Sequence, residues 1–246
     1  MKEENSTAGI TAKTVGSKLV IGFLIFPGQD QIDFTGPFEV LSRLPDVVTH
    51  VISKTTDPVR DIKGLILTPE ITIADAPDLD VLVVSGGLGQ QNLMDDHEIL
   101  SLIRKQFESG RYVFSVCTGA LLCGAAGILK GKRGTTHWAA WDLLKYYGAE
   151  PVKSRFVIDG NYISTAGITA GIDGALEFAA ILCGEDVAKE IQLDIEYAPA
   201  PPFDSGTPEK ASRDTINDFY RQYGINKESR LLDARQYAIK HGISIE

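Results

Sequence analysis

The sequence has few cysteines. Cys117, Cys123 and Cys183 are an odd number, and none stands in a C-x-x-C spacing. That excludes a disulfide framework and the usual zinc pattern, and points to free thiols in a reducing, cytoplasmic compartment. No apolar run approaches the roughly 18 residues of a membrane span. Residues 1–17, MKEENSTAGITAKTVGS, have no apolar stretch of the signal-peptide kind and read as a flexible, solvated extension. Positive charge is also scarce. Lys and Arg number 24 against 33 Asp and Glu, a net charge of −9. Such a surface repels phosphate backbones and anionic lipid, so neither nucleic acid nor membrane is an expected partner. There is no 20–50-residue repeat, and no His, Cys or carboxylate cluster has metal-ligand spacing, so no metal is called for.

What is present is ordinary globular composition, 43% hydrophobic over 246 residues, enough for one large α/β domain. Near-continuous apolar runs at 18–26, 80–87 and 111–119 suit strands buried on both faces. A further strand is expected at 47–53, a hairpin or short antiparallel pair of GLIL and EITI within 57–74, and two short strands around 156–165. Between them, helical spacing appears at 37–44 (opened by Pro37), 97–110, 118–127, 135–148, 168–184 and 186–196. The alternation predicts a doubly wound, mostly parallel sheet with helices on both faces, filling residues 18–197. The Pro-rich segment APAPPFDSGTPEKA (198–211) must be extended. Two terminal helices follow it, and residues 198–246 are expected to pack on the same domain.

Three features lie at the carboxyl edge of such a sheet, where ligands bind: Cys117, the VVSGGLG glycines and Asp33. Cys117 stands where a buried strand hands over to a small-residue helix, and the first helical N–H groups favour its thiolate. Thr118 follows as a hydrogen-bonding neighbour. Cys123 and Cys183 fall inside helical patterns and read as inert packing. The glycines of VVSGGLG (83–89) offer bare N–H groups, so Gly86 and Gly87, helped by Thr118, read as an oxyanion hole; a plain tight turn fits the same residues. Asp33 in QIDFTGP (31–37), between the first strand and the first helix, has apolar neighbours. It reads either as a carboxyl kept protonated for proton transfer or as a helix cap. His137 in TTHWAAW reads as a partner for the cysteine or as an uninvolved helix-start residue. Trp138 and Trp141 read as packing surface.

These residues resemble the ThiJ/PfpI superfamily. The carrying segments are GFLIFPG (22–28), QIDFTGP, VVSGGLG, YVFSVCTGALLCGAAGILKGKRGTTHW (112–138), GITAGID (167–173) and IQLDIEYAPAPPFDSGTP (191–208). The resemblance implies a flavodoxin-like fold with the cysteine on a strand–helix elbow. It is closest to the branch that hydrates isonitriles, and so implies an organic isonitrile substrate, no cofactor and a homodimer. It carries Cys117 over as nucleophile, Asp33 as the acid beside it and Thr118 as its hydrogen-bonding neighbour. GITAGID also joins a strand to a helix, so Ile168 and Thr169 are expected to line the substrate pocket, together with His137. Thr118 stands where peptidase-like members have histidine, which argues against protease chemistry. The 36 residues after 210 are too few for the paired helix-turn-helix units of related regulators. A glyoxalase-like or other hydrolytic use of the cysteine, and a redox-sensing or partner-binding role, stay open at this point.

Overall fold

The computed structural model describes residues 18–225 and 227–244; the N-terminal segment read as an extension lies outside them. In chain order the elements begin with β1 (Leu19–Leu24), α1 (Gln31–Leu41), β2 (Val47–Ser53), β3 (Val59–Arg60), β4 (Ile66–Leu67), β5 (Ile71–Thr72) and β6 (Val81–Val84). They continue with α2 (His97–Glu108), β7 (Tyr112–Val116), α3 (Gly119–Ala125), β8 (Arg133–Gly134), β9 (Glu150–Pro151), β10 (Phe156–Asp159) and β11 (Tyr162–Thr165). The last four are α4 (Ala170–Cys183), α5 (Glu185–Asp194), α6 (Arg213–Gln222) and α7 (Lys227–Lys240).

Among the described residues, seven strands form one sheet in the order β10-β11-β7-β6-β1-β2-β5. Only β10 runs antiparallel, as the outer arm of a hairpin with β11. The chain leaves β1 toward β2 on one side and later passes through β6 to β7 on the other. The point where strand order reverses therefore lies between β1 and β6. Alternate residues of each strand face opposite layers. Ile21, Phe23, Val81, Val83, Phe114 and Val116 pack with α1 and α4 residues such as Val40 and Phe178. Leu24, Leu82, Val84 and Val113 pack with α2, α3 and α7 residues such as Ile103, Leu122 and Ala234. This is the expected flavodoxin-like α/β arrangement. No described helix is long and apolar enough to cross a membrane.

Two local expectations are corrected. The first helix begins at Gln31, not at Pro37, because Asp30 caps it by accepting from the Ile32 N–H at 3.1 Å. Pro37 sits inside α1, so Asp33 is in the first helical turn rather than ahead of the helix. The 57–74 region is not one hairpin. β3 pairs with β4, closed by the Asp61 carboxylate on the Lys63 and Leu65 N–H groups, while β5 joins the main sheet beside β2.

Helix α7 is packed against this core. Ala234 and Ala238 of α7 are fully buried. The Tyr237 hydroxyl donates to the Gly124 carbonyl at the end of α3, 2.9 Å away.

Candidate active site

The carboxyl ends of β1, β6, β7 and β11 converge on Cys117. Its φ is +55°, a left-handed conformation that a non-glycine residue adopts only when its surroundings enforce it. Here they do. The Cys117 N–H donates to the Thr165 and Ala166 carbonyls at 3.2 and 3.1 Å, and its own carbonyl accepts from the Thr136 hydroxyl at 2.6 Å. The turn turns the side chain off the strand axis and aims it at a cavity of about 320 Å³. Gly86 makes room for the elbow: a Cβ there would lie 2.5 Å from the Thr118 nitrogen.

Asp33 is fully buried beside the thiol, and its Oδ2 accepts from the Gly86 N–H at 3.0 Å. Burial, then the nearby Asp30 charge, push its carboxyl well above the usual range; the Gly86 N–H and the Cys117 thiol oppose this less strongly. Oδ1 has no aligned partner in the resting site. Since Oδ2 is engaged as an acceptor, a proton taken up by this carboxyl belongs on Oδ1.

Cys117 was expected to be held as thiolate by the helix start. Instead its thiol is pushed well above its ordinary value, first by burial and then by the Asp33 charge. The N–H groups of Thr118 and Ile168 on the sulfur pull the other way, without prevailing. The physical reason is that α3 is short and the sulfur is nearly out of water, with Cys117 5% exposed. Both groups are thus pushed toward their neutral forms, and a charge on either opposes a charge on the other.

The oxyanion expectation is also corrected. The Gly86 N–H is held by Asp33, and the Gly87 N–H donates to the Thr118 hydroxyl at 3.0 Å. Neither is free to receive a developing anion. The donors that face the sulfur are Thr118 N–H and Ile168 N–H. Ile168, like Cys117, is left-handed, with φ +43°.

His137 and Ile168 line the same cavity as Cys117, whereas Thr169 lines a neighbouring one with His137 and Trp138. His137 is pushed down to about 4, chiefly by burial and then by the Arg230 charge. Its Nδ1 accepts from the Ala139 N–H at 3.2 Å, so the neutral ring carries its proton on Nε2. A ring in that state does not take a proton from the cysteine through either nitrogen. The sequence reading missed the far wall of the cavity, made by Phe219, Tyr223, Ile225 and Arg230 from the C-terminal helices and the turn joining them. The spacing of Phe219, Tyr220 and Tyr223 marked an aromatic helix face, which meets His137 (5.6 Å between ring centres) and Trp138. Nothing in the sequence marked Arg230.

Residues 20–181 match the model of the DJ-1/PfpI family. The chain is 54% identical over 200 residues to isonitrile hydratase of Pseudomonas putida, a match covering 81% of this chain and 88% of that one. It is 30% identical to protein DJ-1alpha of Drosophila melanogaster, over 68% of this chain and 79% of that one. Among solved structures, a ThiJ/PfpI family protein from Pseudomonas syringae superposes with a TM-score of 0.82 at 33% identity, covering 90% and 91% of the two chains.

Proposed function

The chain belongs to the DJ-1/PfpI family, and from that premise we propose that it is an isonitrile hydratase. It adds water to an organic isonitrile to give the N-substituted formamide. The observation that carries this reading is the 54% identity, across most of both chains, to a protein of that name. The site supports it with a nucleophile and an acid that can serve one carbon atom. In R–N≡C the terminal carbon takes both the incoming nucleophile and a proton.

The Cys117 sulfur attacks that carbon while a proton is delivered to it from Asp33 Oδ1. The thiol proton passes to Asp33, which ends the step protonated as it began. The product is a thioimidate, Cys–S–CH=N–R. Water adds to its carbon with Asp33 as the proton carrier. The nitrogen gains a proton, the C–S bond breaks, and R–NH–CHO leaves with the thiol restored. The charge that develops on sulfur is met by the N–H groups of Thr118 and Ile168. Thr118 has a second role, holding the Gly87 turn in place through its hydroxyl. No step calls for a metal or organic cofactor. We place the enzyme in the cytoplasm, where its unpaired cysteines persist, and we take it as a homodimer by family resemblance.

A panel of alkyl and aryl isonitriles, with formamide followed by mass spectrometry, tests the reading. Formamide should appear from isonitriles, with no product from methylglyoxal. Turnover of methylglyoxal without formamide from any isonitrile sinks it.

A further inference from the structure

Arg230, on the first turn of α7, is a largely buried cation on the wall of the cavity that holds Cys117. Its charge bears on His137, and Cys117 is among the groups that act on it. Its other electrostatic neighbours are the hydroxyls of Tyr147 and Tyr220, and no carboxylate among the described residues pairs with it. The two carboxylates that share the cavity are committed elsewhere. Asp30 caps α1 through the Ile32 N–H, and Asp233 lies exposed at the rim, accepting from the Gln91 amide at 3.4 Å. His137 is neutral and offers no countercharge. A guanidinium taken out of water with no anion beside it is an unfavourable arrangement unless a ligand supplies the anion. The lining that Arg230 and Cys117 share includes the apolar side chains of Leu88, Ile168, Phe219 and Ile225.

We propose that Arg230 recognises a carboxylate on the R group of the substrate. The natural substrates are then isonitriles with a carboxylate at one end, an apolar body and the isonitrile carbon at the other. This rests on the hydratase reading and narrows it to a substrate class. The planar fork of arginine suits a carboxylate held by two hydrogen bonds, and the apolar wall suits the chain between the two ends.

The matched probes are isocyanoacetate and its methyl ester, with cyclohexyl isonitrile as a neutral control. The ratio of kcat/KM for carboxylate over ester should fall at least tenfold in Arg230→Gln and recover in part in Arg230→Lys. A ratio unchanged within twofold in Arg230→Gln, with the fold intact by thermal melting, overturns the proposal. A second readout needs neither isonitrile chemistry nor a variant. The ratio of iodoacetate to iodoacetamide alkylation rates at Cys117 should exceed that of N-acetylcysteine, and an equal or lower ratio overturns anion recognition at this site. If none of the three isonitriles gives formamide, the hydratase reading fails and the substrate class fails with it. The alkylation ratio then decides alone whether Arg230 binds carboxylates.

Discussion

Two neighbouring parallel strands, β7 and β11, end in matching elbows. Each passes into a helix through a left-handed, non-glycine residue, Cys117 at φ +55° and Ile168 at φ +43°. The two are tied together: the Cys117 N–H reaches back to Thr165 and Ala166, and the Ile168 N–H faces the Cys117 sulfur. One elbow carries a thiol with an acid beside it; the other carries an aliphatic side chain and lends a backbone donor. The difference teaches that the bend alone confers no chemistry. What separates the two is Asp33, delivered by a third element, α1, to only one of them.

The largest effect expected from breaking this comparison is at the thiol. Cys117→Ala should lower formamide formation by at least about 10³-fold. Placing a thiol on the other elbow, in Cys117→Ala with Ile168→Cys, should restore nothing, because no acid waits there. Any recovery above background in a formamide assay would show that the bend suffices.

Next comes the acid. Asp33→Asn should cost about 10²-fold or more in kcat/KM. It should also lower the pH at which Cys117 is half-alkylated. Burial and then the Asp33 charge hold the thiol up, and the variant removes the second cause. A midpoint that moved upward in the variant would contradict the coupling.

His137 sharpens the comparison from the side of the second elbow, since a Cβ on Gly167 would lie 2.6 Å from its ring. Its folded pKa is depressed from 6.5 to about 4, so the folded state holds it neutral while the unfolded state protonates first. Stability should therefore fall as pH drops from 6.5 toward 4, by on the order of 3 kcal/mol. Urea melts at pH 7 and pH 4.5 measure this, and His137→Gln should shrink the difference.

The smallest effect is expected at Ile168. Glycine there relieves a left-handed conformation worth about 1–2 kcal/mol but gives up a side chain packed in the core and frees the unfolded chain. The opposing contributions should leave Tm within about 4 °C of the parent. A larger rise would mean that strain dominates this elbow.

The order of strands and helices was legible because each buried strand is bracketed by turn residues and followed by helical spacing. Cys117 stood out by its place at a strand end. The start of α1 was misread because Pro37 is a stronger local signal than an Asp30 cap, and only the fold chooses between them. The hydrogen-bond partners of Gly86 and Gly87 were not legible: Asp33 and Thr118 reach them from distant parts of the chain. Nor was the resting charge of Cys117, which depends on how much water the assembled walls exclude. The aromatic face of α6 and the apolar positions of α7 announce that something covers them. They do not say that it is the cavity beside the nucleophile.

The clasp between Tyr237 and the end of α3 has a consequence for synthesis. The sheet, both elbows and the Asp33–Cys117 pair are encoded upstream of the helix that clasps them, so they emerge from the ribosome first. While α7 is still being made, the sulfur faces the cell without its outer wall. A nascent chain stalled at that stage is at its most vulnerable to stray electrophiles, and the docking of α7 brings its protection.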